Sequence, residues 1–68
     1  MLLEIVVNRQ KREVPDGCTV RELVVSLGYE PTKVSVWIGG RQIWQREYDT
    51  LRPTEGVEVR IIRPIAGG

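Results

Sequence analysis

TVRELVVSLG, residues 19–28, is the stretch whose reading decides the fold. Thr19 and Glu22 stand three apart, the spacing of a capping box in which each side chain accepts from a backbone N–H near the other. Val20, Leu23, Val24 and Leu27 fall at i, i+3, i+4 and i+7, so one side of the resulting helix is a continuous apolar stripe. Gly28 then stops the helix, because glycine takes a positive φ without a steric penalty. A short helix with a single apolar face is not stable alone and needs a second layer to cover it.

The flanking segments supply that layer as strands. LLEIVV (2–7) is rich in β-branched residues, NRQK (8–11) turns the chain with Asn8 in a left-handed conformation, and REV returns as a second strand before PDG (15–17) breaks it. VSVWI (34–38) is a third strand, ended by Gly39-Gly40. RQIWQREY (41–48) gives a small strand and then a turn or a single helical turn, with Trp44 expected to plug the end of the core. VEVRIIR (57–63) is the last strand, and Pro64 ends it because proline has no N–H to donate to a ladder. Parity assigns the faces: Leu3, Ile5, Val7, Val34, Val36, Ile38, Val57, Val59 and Ile61 turn towards the helix. Leu2, Glu4, Val6, Ser35, Trp37, Glu58, Arg60 and Ile62 fall on the other side, which stays open to water unless a partner covers it.

Composition narrows the function. At 68 residues the chain is one domain, too small to enclose an elaborate catalytic cleft. It contains no histidine, so the commonest general base and metal ligand are absent, and a single cysteine forms neither an internal disulfide nor a zinc site. Ten basic and nine acidic residues are interspersed to a net charge of +1, which is no footprint for nucleic acid. No window has the length of a membrane span or the build of a signal peptide, so the cytoplasm is the expected location. Cys18, one residue before the helix cap, is expected to pack a loop and not to react.

The end of the sequence, Arg63-Pro64-Ile65-Ala66-Gly67-Gly68, is stiff, then apolar, then free of side chains. Its chemical handle is the α-carboxylate of Gly68. A carboxylate is a poor electrophile, so acyl chemistry there needs activation, most simply by ATP. Two glycines allow close backbone approach inside another protein's site, and an extended stretch of this length reaches about 20 Å. The division expected is a folded domain over 1–63 and a flexible tail over 64–68.

On these residues the chain resembles the ThiS family of ubiquitin-like sulfur carriers, within the ThiS/MoaD-like β-grasp superfamily. The likeness spans the first hairpin with Asn8 at its turn, TVRELVVSLG, VSVWIGGRQIWQREY (34–48) and EGVEVRIIRPIAGG (55–68). It implies an α+β β-grasp fold, a mixed sheet of four to five strands covered on one face by one helix. It implies that the protein is not an enzyme but a cosubstrate. A ThiF-like adenylyltransferase, using ATP and magnesium of its own, would adenylate Gly68. A persulfide donor would convert the terminus to a thiocarboxylate, and a ThiG-like thiazole synthase would take the sulfur for thiamine. Ile65, Ala66 and Gly67 would thread into the partner's active site. Val6, Trp37, Arg60 and Ile62 are the expected docking surface, and the free carrier is expected to be a monomer that binds no metal or cofactor. The same tail would also serve a molybdopterin-synthase small subunit or another sulfur carrier. Readings of a different class are a ubiquitin-like modifier or a non-covalent adaptor.

Overall fold

A computed structural model describes residues 1–64. Five strands, β1 (Leu2–Val7), β2 (Gln10–Pro15), β3 (Ser35–Ile38), β4 (Arg41–Ile43) and β5 (Glu58–Ile62), form one sheet in the order β2-β1-β5-β3-β4. β1 and β5 run parallel; the other neighbours are antiparallel. The helix α1 (Val20–Ser26) lies between them in sequence, as parallel strands cannot be joined by a tight hairpin. This is the mixed, helix-covered β-grasp sheet expected.

The helix forms where its punctuation placed it. Thr19 Oγ1 accepts from the Glu22 N–H at 3.2 Å, and Glu22 Oε1 accepts from the Thr19 N–H at 2.8 Å. The two remaining free donors of the first turn, Val20 N–H and Arg21 N–H, reach the carbonyls of Leu51 (2.9 Å) and Tyr48 (3.0 Å). At the other end Gly28, at φ +88°, donates to Val25 O while Tyr29 donates to Val24 O, the paired bonds of a Schellman stop. Val20, Leu23 and Val24 are buried, and Leu27 packs at the margin of the core.

Parity holds along the sheet. Leu3, Ile5, Val7, Val34, Val36, Val59 and Ile61 are buried with the helix stripe, and Ile38 and Val57 are partly buried against them. Cys18 is buried in the same core, as expected of a loop-packing residue.

Two local expectations are corrected and one element is added. The first turn is two residues, Asn8 and Arg9, both at positive φ (49° and 70°), so β2 begins at Gln10 and is longer than REV. Only a turn of that hand matches the twist of two adjoining strands. A 3₁₀ turn at Pro31–Lys33, absent from the sequence reading, leads into β3. Trp44 does not plug the core. It is 58% exposed, with the Arg46 guanidinium 6.0 Å from its ring centre, while Tyr48 is 1% exposed. The 3₁₀ turn Gln45–Glu47 between them swings the later aromatic inward, where its hydroxyl donates to Val34 O at 3.4 Å.

Candidate functional site

The site is built where β5 ends. β5 is central, and its residues alternate, with Val59 and Ile61 buried and Glu58, Arg60 and Ile62 outward. On β3, Trp37 stands opposite Arg60 and Ser35 opposite Ile62. Trp37, Arg60 and Ile62 therefore meet, and with Gly40 and Glu58 they line a groove of about 290 Å³ on the open face. Ile62 is 47% exposed there. Val6, on β1 opposite Glu58, shares the face but lines no part of that groove. The indole N–H of Trp37 is shielded from water and has no acceptor among the described residues, an unusual state for a tryptophan donor.

A second feature, missed in the sequence, holds β5 in place. β1 leaves the ladder at Asn8, which would strand the backbone of Ile61 on that side. The Asn8 side chain replaces the missing peptide group: Ile61 N–H donates to its Oδ1 at 2.9 Å, and its Nδ2 donates to Ile61 O at 3.2 Å. The same turn carries Arg9 to the end of β5. Asn8, Arg9, Arg60, Ile61, Ile62 and Arg63 surround a wider groove of about 490 Å³. Arg60, as a docking residue, and Arg63, as the residue before Pro64, were each legible at the end of this strand. Arg9 was not, because only the turn geometry and the β1–β5 register bring it there.

The other reactive group points away from chemistry. Burial, with the nearby charges of Glu22 and Asp16, pushes the Cys18 thiol above its usual pKa, which disfavours the nucleophilic thiolate. Among the described residues no cluster of three or more His, Cys, Asp or Glu is placed to hold a metal ion. No helix among them is long and apolar enough to cross a membrane. Ile65, Ala66, Gly67 and Gly68, expected to carry the carrier chemistry, lie outside the described residues.

The fold has a solved counterpart. The crystal structure of a thiamine biosynthesis protein (ThiS) from Geobacter metallireducens matches with a TM-score of 0.78, covering 97% of this chain and 100% of that one at 23% identity. At that identity the likeness speaks for the architecture. No curated protein matches the sequence. The sequence model of the ThiS family, however, matches residues 2–68, from the first strand through Gly67 and Gly68. Its span takes in the clamped strand β5, the grooved face beside it and the glycine end alike, and on that match the chain belongs to the ThiS family.

Proposed function

We propose that this protein is a sulfur carrier of thiamine biosynthesis, with the Gly68 carboxylate as the carrying group. The observation that supports it most is the family match running through the glycine end. The domain over 1–63 would dock on the partner while residues 64–68 extend into its active site.

The chemistry follows from the carboxylate. In a ThiF-like adenylyltransferase, a Gly68 oxygen attacks the α-phosphorus of ATP and pyrophosphate leaves, converting an inert anion into an acyl-adenylate. The terminal sulfur of a persulfide then attacks the acyl carbon and AMP leaves. A thiol reduces the resulting acyl disulfide, which frees the thiocarboxylate and forms a disulfide on the donor side. The thiocarboxylate sulfur is a good nucleophile, suited to delivery into a thiazole ring on a ThiG-like synthase. ATP and magnesium belong to the adenylating enzyme; this chain contributes a terminus and a docking surface. Glycines at 67 and 68 suit that role, as a Cβ there would widen the thread. A reducing cytoplasm fits both the persulfide chemistry and the single cysteine.

Docking on the open face is supported by the half-exposed Ile62 beside Trp37 and Arg60, an apolar anchor next to an aromatic and an arginine. The deciding experiment is intact mass after incubation with ATP, the adenylyltransferase of the same organism and a persulfide donor. Exchange of one oxygen for sulfur is expected, and is lost when Gly67 and Gly68 are removed. An unchanged mass with a demonstrably active enzyme overturns the reading.

A further inference from the structure

We infer that Arg9, Arg60 and Arg63 form a cationic collar at the end of β5 that docks against a carboxylate-rich surface of the adenylating partner. The identity of that partner rests on the function proposed above; the collar itself rests on geometry. The three arginines border one groove of about 490 Å³ with Asn8, Ile61 and Ile62, and among the described residues no acidic side chain lines it. All three are exposed. The ion pairs among the described residues are Arg21–Asp49, Lys33–Glu30 and Arg41–Glu47, none of which involves the collar.

The gathering is built and not incidental to a charged surface. The chain carries a net charge of only +1, yet three of its cations meet at the point where β5 hands the chain on to Pro64. Arg9 is held at φ +70°, a backbone region that favours glycine, in a turn tied to β5 by the Asn8 clamp. Three like charges around one groove repel one another, so the arrangement does nothing for the free fold. A surface of opposite sign relieves that repulsion.

The shape selects the class of partner. In so open a groove, with every guanidinium exposed, a small anion stays hydrated and gains little from the cations. A protein surface behaves differently. Its carboxylates meet the arginines while its neighbouring side chains cover Ile62, and water leaves the charge pairs as the apolar contact closes. Nucleic acid would need a longer basic track than one groove end supplies. Because Arg63 directly precedes Pro64, an acidic rim here would lie at the mouth of whatever receives the residues that follow.

The test is binding of the adenylyltransferase to the full chain, and to a chain lacking Gly67 and Gly68, by calorimetry at low and high salt. Wild-type affinity should weaken with salt. The triple variant Arg9→Gln, Arg60→Gln, Arg63→Gln should bind about tenfold to a hundredfold more weakly and lose most of that salt dependence. Arg46→Gln, outside the groove, should bind as wild type. The thermal midpoint of the triple variant should equal or exceed that of the wild type; should it fail to fold, Arg63→Gln alone carries the same reading on a smaller scale. Unchanged affinity and salt slope in the folded variant overturn the collar, even if Gly68 is thiocarboxylated normally. Loss of the arginine effect in the truncated chain also overturns it, because the cations would then serve the chain's own terminus. Arginine-dependent binding without adenylation would uphold the collar and remove sulfur carriage instead.

Discussion

The two faces of this sheet come from the same strands by alternate residues, yet they obey different rules. Under the helix, Ile5, Val36 and Val59 are fully shielded, and among the described residues no charged side chain is buried with them. On the open side Leu2 is 61% and Ile62 47% exposed, with Glu4, Glu58 and Arg60 between the apolar groups. Burial of apolar area is what stabilises so small a domain, so the covered face has little freedom. The open face contributes less to stability and can hold groups chosen for a partner.

The contrast is easiest to break with core truncation. Leu23→Ala should cost about 3 kcal/mol, a large share of the roughly 3–10 kcal/mol available to a chain this long. A urea midpoint that barely moves would mean the helix is not the main cover of the sheet. Next comes Asn8→Ala, which removes both side-chain bonds to Ile61 and leaves its backbone unpaired on one side, for about 2 kcal/mol. The sharper readout is local: Ile61 amide exchange should quicken more than that of Val36. Equal quickening at both would show that Asn8 acts only through global stability.

Arg9→Gly goes the other way. Relieving a left-handed arginine should stabilise the fold by about 1 kcal/mol, while weakening the docking inferred for the collar. Stability and binding that fall together would indicate that Arg9 supports the fold. On the open face, Ile62→Ser should change stability by no more than about 0.5 kcal/mol, and the adenylyltransferase should show a raised KM for the variant. An unaltered KM would remove Ile62 from the docking surface.

The smallest effect is a pH dependence from the covered side. The folded Cys18 thiol titrates above its ordinary 9.0 because it is buried and near Glu22 and Asp16. A raised folded pKa means its share of stability is complete below about 9 and is lost as pH rises through the folded value. Alkylation of Cys18 near neutral pH should accordingly be slow, and should speed up in urea in step with unfolding. Rapid alkylation of the folded chain would show that the region around Cys18 opens on its own.

Much of this was legible in residues 19–28. A cap, a stripe and a stop are all interactions between near neighbours in sequence, so Thr19, Glu22 and Gly28 fell where local rules placed them. Parity likewise sorted Trp37, Arg60 and Ile62 onto one face before their register was known. Trp44 was misplaced because hydrophobicity alone does not rank two aromatics four residues apart; the 3₁₀ turn between them did. The grooves were only half legible. Arg60 and Arg63 lie together in the sequence, whereas Arg9 lies more than fifty residues away.

The sequence by itself determined the helix, its ends, the two faces of the sheet and the glycine pair at 67 and 68, since each depends on residue type and short spacing. Only the tertiary structure decided how the strands line up. It joined Asn8 to Ile61, gathered three arginines around one groove, and gave the first turn of the helix the carbonyls of Tyr48 and Leu51. Each depends on which distant stretches of backbone come together: Ile61 beside the Asn8 side chain, β5 beside the β1–β2 turn, and Tyr48 and Leu51 over the start of the helix. Backbone N–H and C=O are nearly the same in every residue, so side-chain pattern carries almost no record of which distant pair will meet.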